Sequence, residues 1–506
     1  MCKFFMAAMC GLALFSFSAW GTTPKTIQAI DVEGLSDSEL SLLASLMGVV
    51  AKTSPEIYLA PRKKTANPGP SFWLELYLKD DPARTVQWND HLMLFVKDYA
   101  SKLKGYVLYG PGTEGLNAAT SLAGVLDAVV VNEHTEAMAL YAGLKRLADT
   151  RGKTDSWAWK QYGPRFNRKV IASLNPNIAL ALRDYTIFQK AFVYYESPYA
   201  LDYLGAQLPH SLVFGWGASE FVFFQNASKK NLQALASDYL HNASVLSQWT
   251  VAVPPQKTHV DLPLEPEDSV HYVAFVMSDG DNPQWLTNTF AFDQKWWASP
   301  RRGTFTMNWD LSPGFIDVSS LTYRYLHESA SQGSAKDYFV TAHGVGSDYP
   351  SEVPDLRGAL AQTVGYMQKT DQSMLSILDN RWDPKTIDTI LETQSIEGVM
   401  FKFNGCCGYK SRDGKVYWHN GKPAIAVKYS LWEGYDTTDD IVAGLNASSR
   451  RPLLDDDAYS VVNVHPWSPD PMENVAKIVA RLDSQVRVVT LEELVLRLRA
   501  NRTPKP

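Results

Sequence analysis

The chain has 506 residues, of which 45% are hydrophobic and 12% aromatic, and its formal net charge at pH 7 is −6. This length exceeds one ordinary hydrophobic core, so two or more domains are expected, and the apolar content excludes a disordered chain. Because acidic and basic residues are interspersed without a basic stripe, nucleic acid is not an expected partner.

The first 21 residues have the pattern of a secretory signal. Lys3 supplies a positive start, Phe4 to Phe17 is almost wholly apolar, and Ala19-Trp20-Gly21 offers small residues for cleavage near Gly21. An uncleaved membrane anchor is the alternative. We therefore expect a secreted or periplasmic protein with no stable membrane span after cleavage, and the sequence predicts no particular oligomeric state.

Strand-like and helix-like runs alternate through the N-terminal half. PEIYLA, KGYVLYG, DAVVVNE and SLVFGW are typical of strands, and TEAMALYAGLKRLADT is typical of a helix. The pattern predicts an α/β domain over residues 22–133 and a second α/β region over 134–252, which could hold two small subdomains. Four prolines in VPPQKTHVDLPLEPEDS predict a linker over 253–269.

After the linker, strands and helices alternate regularly. The predicted strands are 271–277, 303–309, 337–342, 374–378, 397–403, 424–429, 459–464 and 486–490. Helix-length amphipathic patterns separate most of them, which predicts right-handed βα units and a (β/α)7–8 barrel over residues 270–502. An open doubly wound sheet is the alternative. In a barrel of this type, the chemistry gathers at the carboxyl ends of the strands.

Polar and aromatic side chains follow nearly every predicted strand at that rim. They include Asp279, Asp281, Asp310, the segment His343 to Tyr349, Asp379, Asn404, Glu433 and His465. Asp and Asn end strands and cap helices in any α/β protein, but tryptophans at a rim are harder to explain in that way. The rim tryptophans are Trp285, Trp309, Trp382, Trp432 and Trp467. Indole rings beside carboxylates suit a sugar ring, which has an apolar face and polar hydroxyls.

TAHGVGSDYPSEV, residues 341–353, resembles the signature of the GxGYxYP putative glycoside hydrolase family, and FVMSDGDNPQW, residues 275–285, resembles another recurrent segment of that family. The likeness extends to LNAATSLAGVLDAVVV, LRDYTIFQKAFVYY and GWGASEF, and covers almost all of the mature chain. In this chain the signature is GVGSDYP, so that Ser347 occupies the position of the first tyrosine in GxGYxYP. The resemblance implies small accessory domains, a C-terminal catalytic barrel and a carbohydrate-cleaving activity.

Glycoside hydrolysis in most enzymes uses two carboxyl groups, and the acid must keep its proton near neutral pH. Asp279 and Asp281 are close enough in sequence to raise each other's pKa, and a pair from another strand could be completed by Asp310, Asp348, Asp379 or Glu433. We predict catalytic roles for Asp279, Asp281, Asp310 and Glu433. The alternative for Asp281 is that it, or Asn282, caps the helix that Pro283 starts, with Gly280 giving the turn its backbone freedom.

A second set of rim residues is predicted to bind the substrate. These residues are Asn282, Trp285, Trp309, His343, Asp348, Tyr349, Trp432, His465 and Trp467. No cofactor is expected. An EF-hand is excluded because Gln284 and Phe290 occupy its glycine and glutamate positions, but a looser carboxylate site for a divalent cation stays open.

Two other functions remain open. The barrel could belong to a non-catalytic carbohydrate-binding protein, or to a metal-dependent, deacetylase-like carbohydrate hydrolase. The HxxxH ligand spacing of polysaccharide deacetylases is absent from the ten histidines. The adjacent Cys406 and Cys407 predict a structural feature of a loop.

Overall fold

The structure is a computed structural model that describes residues 24–63, 65–110, 115–405 and 407–502. The predicted secretory signal lies outside these residues. Within the described part of the chain, no helix combines the length and apolar character needed to cross a bilayer. The chain forms three small parallel sheets followed by one large curled sheet.

The first two sheets have three parallel strands each. The first contains β1 (Thr26–Asp31), β2 (Ile57–Ala60) and β3 (Thr85–Trp88) in the order β2-β1-β3, and the second contains β4 (Gly105–Leu108), β5 (Ala128–Val131) and β6 (Arg146–Asp149) in the order β5-β4-β6. Their helices are α1 (Asp37–Val50), α2 (Gly69–Lys79), α3 (Leu92–Asp98), α4 (Gly115–Leu126), α5 (Glu136–Tyr141) and α6 (Asp155–Tyr162). Helix α1 begins with a capping box, in which the side chains of Ser36 and Glu39 each accept a hydrogen bond from the backbone amide of the other residue.

The third sheet is a four-stranded parallel sheet. It contains β7 (Val170–Ser173), β8 (Phe192–Tyr194), β9 (Leu212–Gly215) and β10 (Gln233–Ala236) in the order β10-β9-β7-β8. Its helices are α7 (Arg183–Phe188), α8 (Ala200–Gly205), α9 (Glu220–Ser228) and α10 (Ala243–Leu246). The strand order reverses between β7 and β9, which is where sheets of this kind bind ligands.

The fourth sheet belongs to the C-terminal half. Its strands are β11 (His271–Met277), β12 (Met307–Leu311), β13 (Asp337–Ala342), β14 (Met374–Asp379), β15 (Gly398–Phe403), β16 (Val416–His419), β17 (Lys422–Ala426), β18 (Tyr429–Leu431), β19 (Tyr459–Val464) and β20 (Val486–Val488). Its helices are α11 (Pro283–Trp285), α12 (Ser320–Ser329), α13 (Leu356–Thr370), α14 (Pro384–Glu392), α15 (Thr438–Ala447), α16 (Pro471–Val479) and α17 (Leu491–Arg502).

The large sheet curls until its two ends meet. Its strand order is β16-β17-β15-β14-β13-β12-β11-β19-β18, and only the β16–β17 pair is antiparallel. The strands β17 and β18 are successive parts of one run. Between them, the Val427 amide donates to the Phe401 carbonyl of β15 and the Lys428 amide donates to the Val461 carbonyl of β19. The predicted α/β fold with a barrel-like C-terminal domain is therefore confirmed.

Three of the predicted strands, 303–309, 424–429 and 486–490, differ clearly from those observed. The run 424–429 is divided between β17 and β18 because it changes its pairing partner, and β20 pairs only with the first three residues of β11. The strand predicted at 303–309 begins only at Met307 and continues to Leu311. Trp309 and Asp310 therefore lie within β12 and, because side chains alternate along a strand, on opposite faces of the sheet.

Candidate active site

The loop after β11 brings Asp279 and Asp281 to the carboxyl end of the barrel. Asp279 has a left-handed backbone with a φ of 69°, which aspartate tolerates better than most residues. A Cβ atom on Gly280 would lie 1.5 Å from the carbonyl oxygen of Asp310. The glycine is thus required by the close approach of the loop to β12, whereas the residue of this turn with a left-handed backbone is Asp279.

Replacing Gly280 with alanine is expected to lower the free energy of unfolding by about 3 kcal/mol, because the loop or β12 would have to move. The measurement is urea unfolding followed by circular dichroism. Gly365→Ala is the matched control, since a Cβ atom there meets nothing within 4 Å and alanine is the better helix former. Equal stability of the two variants would contradict the close approach.

The helix start at Pro283 uses Asn282 as its cap. The Asn282 side-chain oxygen accepts a hydrogen bond of 3.1 Å from the Trp285 amide. This contact has two consequences for the sequence predictions. The side-chain oxygen of Asn282, predicted to bind substrate, is engaged within the fold, and the Asp281 carboxylate is left free of capping.

The strand ends of the barrel and helix α9 together enclose a small cavity of about 20 Å³. Its acidic and basic lining side chains are Glu220, Asp279, Asp281, His343, Asp348 and Lys402. Four of them, namely Asp279, Asp281, His343 and Asp348, were predicted from the sequence to be site residues. We refer to this space as the acidic cavity.

Asp281 is a hydrogen-bonded carboxylate in this cavity. The Ser347 hydroxyl donates to its Oδ2 atom, and the His343 Nε2 atom lies 3.8 Å from the same oxygen. Its side chain is only 13% exposed. The Ser347 hydrogen bond therefore holds this carboxyl group in the wall of the cavity.

Asp279 occupies a related environment beside it. The Ser278 hydroxyl donates to its Oδ2 atom at 2.5 Å, and the His465 Nε2 atom lies 3.8 Å from that oxygen. Burial, followed by the negative charge of Asp281, raises the pKa of Asp279 to about 6.

Each aspartate faces one buried histidine. The Leu378 amide donates to His343 Nδ1, so the ring proton is on Nε2, which faces Asp281. The His465 ring stacks on the Trp432 indole with 3.6 Å between ring centroids. Burial lowers the pKa of His343 to about 4 and that of His465 to about 3, so both rings are neutral at physiological pH.

Asp310 lies deeper in the barrel, on the inner face of β12. It pairs with Lys402 of β15 at 2.6 Å, and both side chains are almost fully buried. Burial raises the pKa of Asp310 to about 6, while the Lys402 ammonium opposes that shift. The structure thus places Asp310, a predicted catalytic residue, beneath the acidic cavity as the partner of the lysine that lines it.

The GVGSDYP loop connects the barrel to the third sheet. Ser347 and Ala234 of β10 exchange two backbone hydrogen bonds, and the Asp348 carboxylate accepts from the Gln233 side chain at 3.0 Å. Burial raises the pKa of Asp348 to about 7. The Tyr349 hydroxyl accepts a hydrogen bond of 2.6 Å from Asn404. The signature loop therefore docks the third sheet against the site.

The tryptophans predicted to bind sugar differ in their positions. Trp309 is buried on the outer face of β12, where its indole donates to Asp337, and so the prediction that it contacts substrate is wrong. Trp285 is also buried, against Trp296 and Trp467. Only Trp467 is half exposed, at 50%.

Glu433, a predicted catalytic residue, is exposed in the turn after β18 and does not line the acidic cavity. The acidic cavity is lined instead by three residues that the sequence patterns did not single out. Glu220 comes from the third sheet, and Lys402 and Tyr409 come from β15 and the loop after it. A lysine within the apolar run EGVMFKF was the available signal for Lys402, whereas Glu220 lies in GWGASEF, which was noted only for the family resemblance.

Within the described residues, no group of three or more His, Cys, Asp or Glu side chains is arranged to hold a metal ion. Cys407 is disulfide-bonded, and Cys406 lies outside the described part of the chain.

A curled parallel sheet with a carboxylate-lined cavity at the carboxyl ends of its strands is the arrangement of (β/α)-barrel enzymes. The chain belongs to the GxGYxYP family. The GxGYxYP putative glycoside hydrolase C-terminal domain matches residues 269–499, the GxGYxYP third domain matches 168–248, and the GxGYxYP_N second domain matches 103–166. These matches confirm the family resemblance seen in the sequence.

Two solved structures are similar to this chain. A putative hydrolase from Bacteroides thetaiotaomicron is 26% identical, with a TM-score of 0.85 over 96% of each chain. A putative polysaccharide deacetylase from Mycobacterium smegmatis is 12% identical, with a TM-score of 0.31 over 50% of this chain and 99% of that chain, and this likeness supports no conclusion. No curated protein matches the chain.

Proposed function

We propose that the protein is a glycoside hydrolase that cleaves a polysaccharide or oligosaccharide at the acidic cavity, and that it acts outside the cytoplasm. The observation that carries the proposal is the pair formed by Asp279 and Asp281. Asp279 holds its proton up to about pH 6, and the Ser347 hydroxyl donates a hydrogen bond to the neighbouring Asp281 carboxyl group. Glycoside hydrolysis in most enzymes uses two carboxyl groups, one of which must keep its proton near neutral pH.

In this proposal, Asp281 is the carboxylate that acts at the anomeric carbon, either as the nucleophile or as the base for water. Asp279 contributes a second carboxyl group, whose negative charge raises the pKa of the neighbouring Glu220 carboxyl group. A cavity of about 20 Å³ holds about one water molecule, so the sugar ring would lie over the opening and only the bond to be cleaved would reach the carboxyl groups.

A second crevice of the protein could bind further sugar units of the same carbohydrate. A crevice of about 410 Å³ lies at the carboxyl ends of the third sheet, on the other side of α9, and Glu196, Phe223 and Asn226 are among its lining residues. Its volume is within the range of ligand pockets, and it combines aromatic rings with hydrogen-bonding groups. We propose that a longer carbohydrate extends from the acidic cavity toward this crevice.

The proposal is tested by measuring the release of reducing sugar from a panel of glycans and aryl glycosides. We expect at least one of them to be cleaved, and expect the Asp279→Asn and Asp281→Asn variants to cleave it far more slowly. Binding of a glycan by the wild-type protein without any cleavage would instead support the carbohydrate-binding alternative, and would reject the enzyme proposal.

A further inference from the structure

A third carboxyl group reaches the acidic cavity from outside the barrel. Glu220 is the first residue of α9, and Ser219 caps this helix by accepting a hydrogen bond from the Val222 amide. The helix follows β9 of the third sheet, yet Glu220 and Phe224 line the same cavity as the two aspartates of the barrel. The docking of the third sheet on the GVGSDYP loop therefore completes the cavity.

The three carboxyl groups differ in their contacts. Asp279 accepts from Ser278 and Asp281 accepts from Ser347. Among the described residues, no side chain or backbone amide donates a hydrogen bond to the Glu220 carboxyl group, and no cation pairs with it. Glu220 also keeps an exposed outer surface. A ligand lying over the opening of the cavity would therefore find this carboxyl group free to interact.

We propose that Glu220 is a catalytic residue, namely the acid that protonates the glycosidic oxygen, while Asp281 acts at the anomeric carbon. This inference rests on the proposed function. The bond between the anomeric carbon and the glycosidic oxygen breaks, its electron pair stays on the oxygen, and the Glu220 proton converts that oxygen into a hydroxyl. A water oxygen forms the new bond to the anomeric carbon, and its proton passes to a carboxylate of the site.

The electrostatics of the cavity are consistent with this role. Burial of the carboxyl group against neighbouring protein atoms, followed by the charges of Asp279 and Asp281, raises the pKa of Glu220 to about 7. The other titratable groups that line the cavity with it are His343, Asp348, Tyr349, Lys402 and Tyr409. Glu220 carries its proton below its pKa and loses it above, so the rate is expected to fall as pH rises through about 7.

The test uses a Glu220→Gln variant of the full chain with phenyl and 2,4-dinitrophenyl glycosides of the sugar that the wild type cleaves. We expect kcat/KM for the phenyl glycoside to fall by about 10²–10⁴-fold, since general acid catalysis contributes that much. The dinitrophenyl glycoside, whose leaving group needs no proton, is expected to lose less than about tenfold. The decline in rate above pH 7 should disappear in this variant and persist in Glu220→Asp.

Asp202→Asn is the matched control, because Asp202 is an exposed acidic residue in the first turn of α8 of the same sheet region. It should leave both rates unchanged. Equal losses on the two glycosides, or an unchanged alkaline decline in Glu220→Gln, would overturn the role of Glu220 and leave the proposed function intact. If the wild type cleaves neither glycans nor dinitrophenyl glycosides, the proposed function fails, and the role of Glu220 fails with it.

Discussion

Replacing Asp281 with asparagine is expected to lower kcat/KM about a thousandfold for any glycoside that the protein cleaves, because general base or nucleophilic chemistry requires the charged carboxylate. Asparagine has nearly the same shape, and its side-chain oxygen can still accept the hydrogen bond from Ser347. The free energy of unfolding should therefore change little. The measurements are initial rates on phenyl and dinitrophenyl glycosides, together with urea unfolding.

The contrast with Glu220→Gln makes this prediction specific. A carboxylate that acts at the anomeric carbon is needed whatever the leaving group, so Asp281→Asn should impair both glycosides, whereas Glu220→Gln should impair mainly the phenyl glycoside. Asp202→Asn again serves as the control for a neutralised acidic side chain. An Asp281→Asn enzyme within tenfold of the wild type would remove Asp281 from the catalytic residues.

Replacing Lys402 with methionine is expected to lower the free energy of unfolding by about 3–5 kcal/mol, the cost of leaving a buried charge without its partner. Lys402 and Asp310 are almost fully buried, and the Asp310 Oδ1 atom has no hydrogen-bond partner among the described residues. Without the ammonium group, the carboxyl group would depend on the weak Ser376 contact of 3.2 Å. Urea unfolding at pH 7 measures this loss.

Two further measurements test whether the unpaired Asp310 charge causes this loss of stability, namely its dependence on pH and the stability of a double variant. Without Lys402, burial alone would raise the pKa of Asp310 in the folded state, so the penalty is present at neutral pH. It should shrink as pH falls through that pKa, because the neutral carboxyl group needs no cation. Replacing both residues, as Lys402→Met with Asp310→Leu, should recover most of the stability, since an apolar pair often replaces a buried ion pair without cost. A loss in the single variant that is independent of pH and not recovered in the double variant would contradict this explanation.

The barrel was predictable from local sequence because its strands are buried on both faces and therefore appear as continuous apolar runs. HYVAFVM, DYFVTA and YSVVNV have the same bounds in the sequence prediction and in the structure. The loops at the ends of these strands were predictable for the same reason. Asp279, Asp281, His343 and His465 each follow such a run by no more than four residues, and the structure brings them together.

The function of individual polar residues was harder to predict from local patterns. Whether Asp281 or Asn282 capped the helix could not be decided, since both side chains are good caps at neighbouring positions. Likewise, Trp309 looked like a rim residue because the predicted strand ended at 309, two residues before the observed end of β12 at Leu311. When the end of a strand is predicted too early, a side chain that packs on the outer face of the sheet is wrongly assigned to the rim.

The sequence by itself determined the alternation of strands and helices, the family, and the location of the aspartates and histidines at the strand ends, because all of these depend on the order of neighbouring residues. Only the tertiary structure decided that Lys402 pairs with Asp310 across the barrel, that Gly280 must lack a side chain, and that Glu220 faces Asp279 and Asp281. These contacts join residues that are distant in the chain. They exist because the large sheet curls and the third sheet docks on the GVGSDYP loop. The pattern of residues within a single segment predicts neither of these two arrangements.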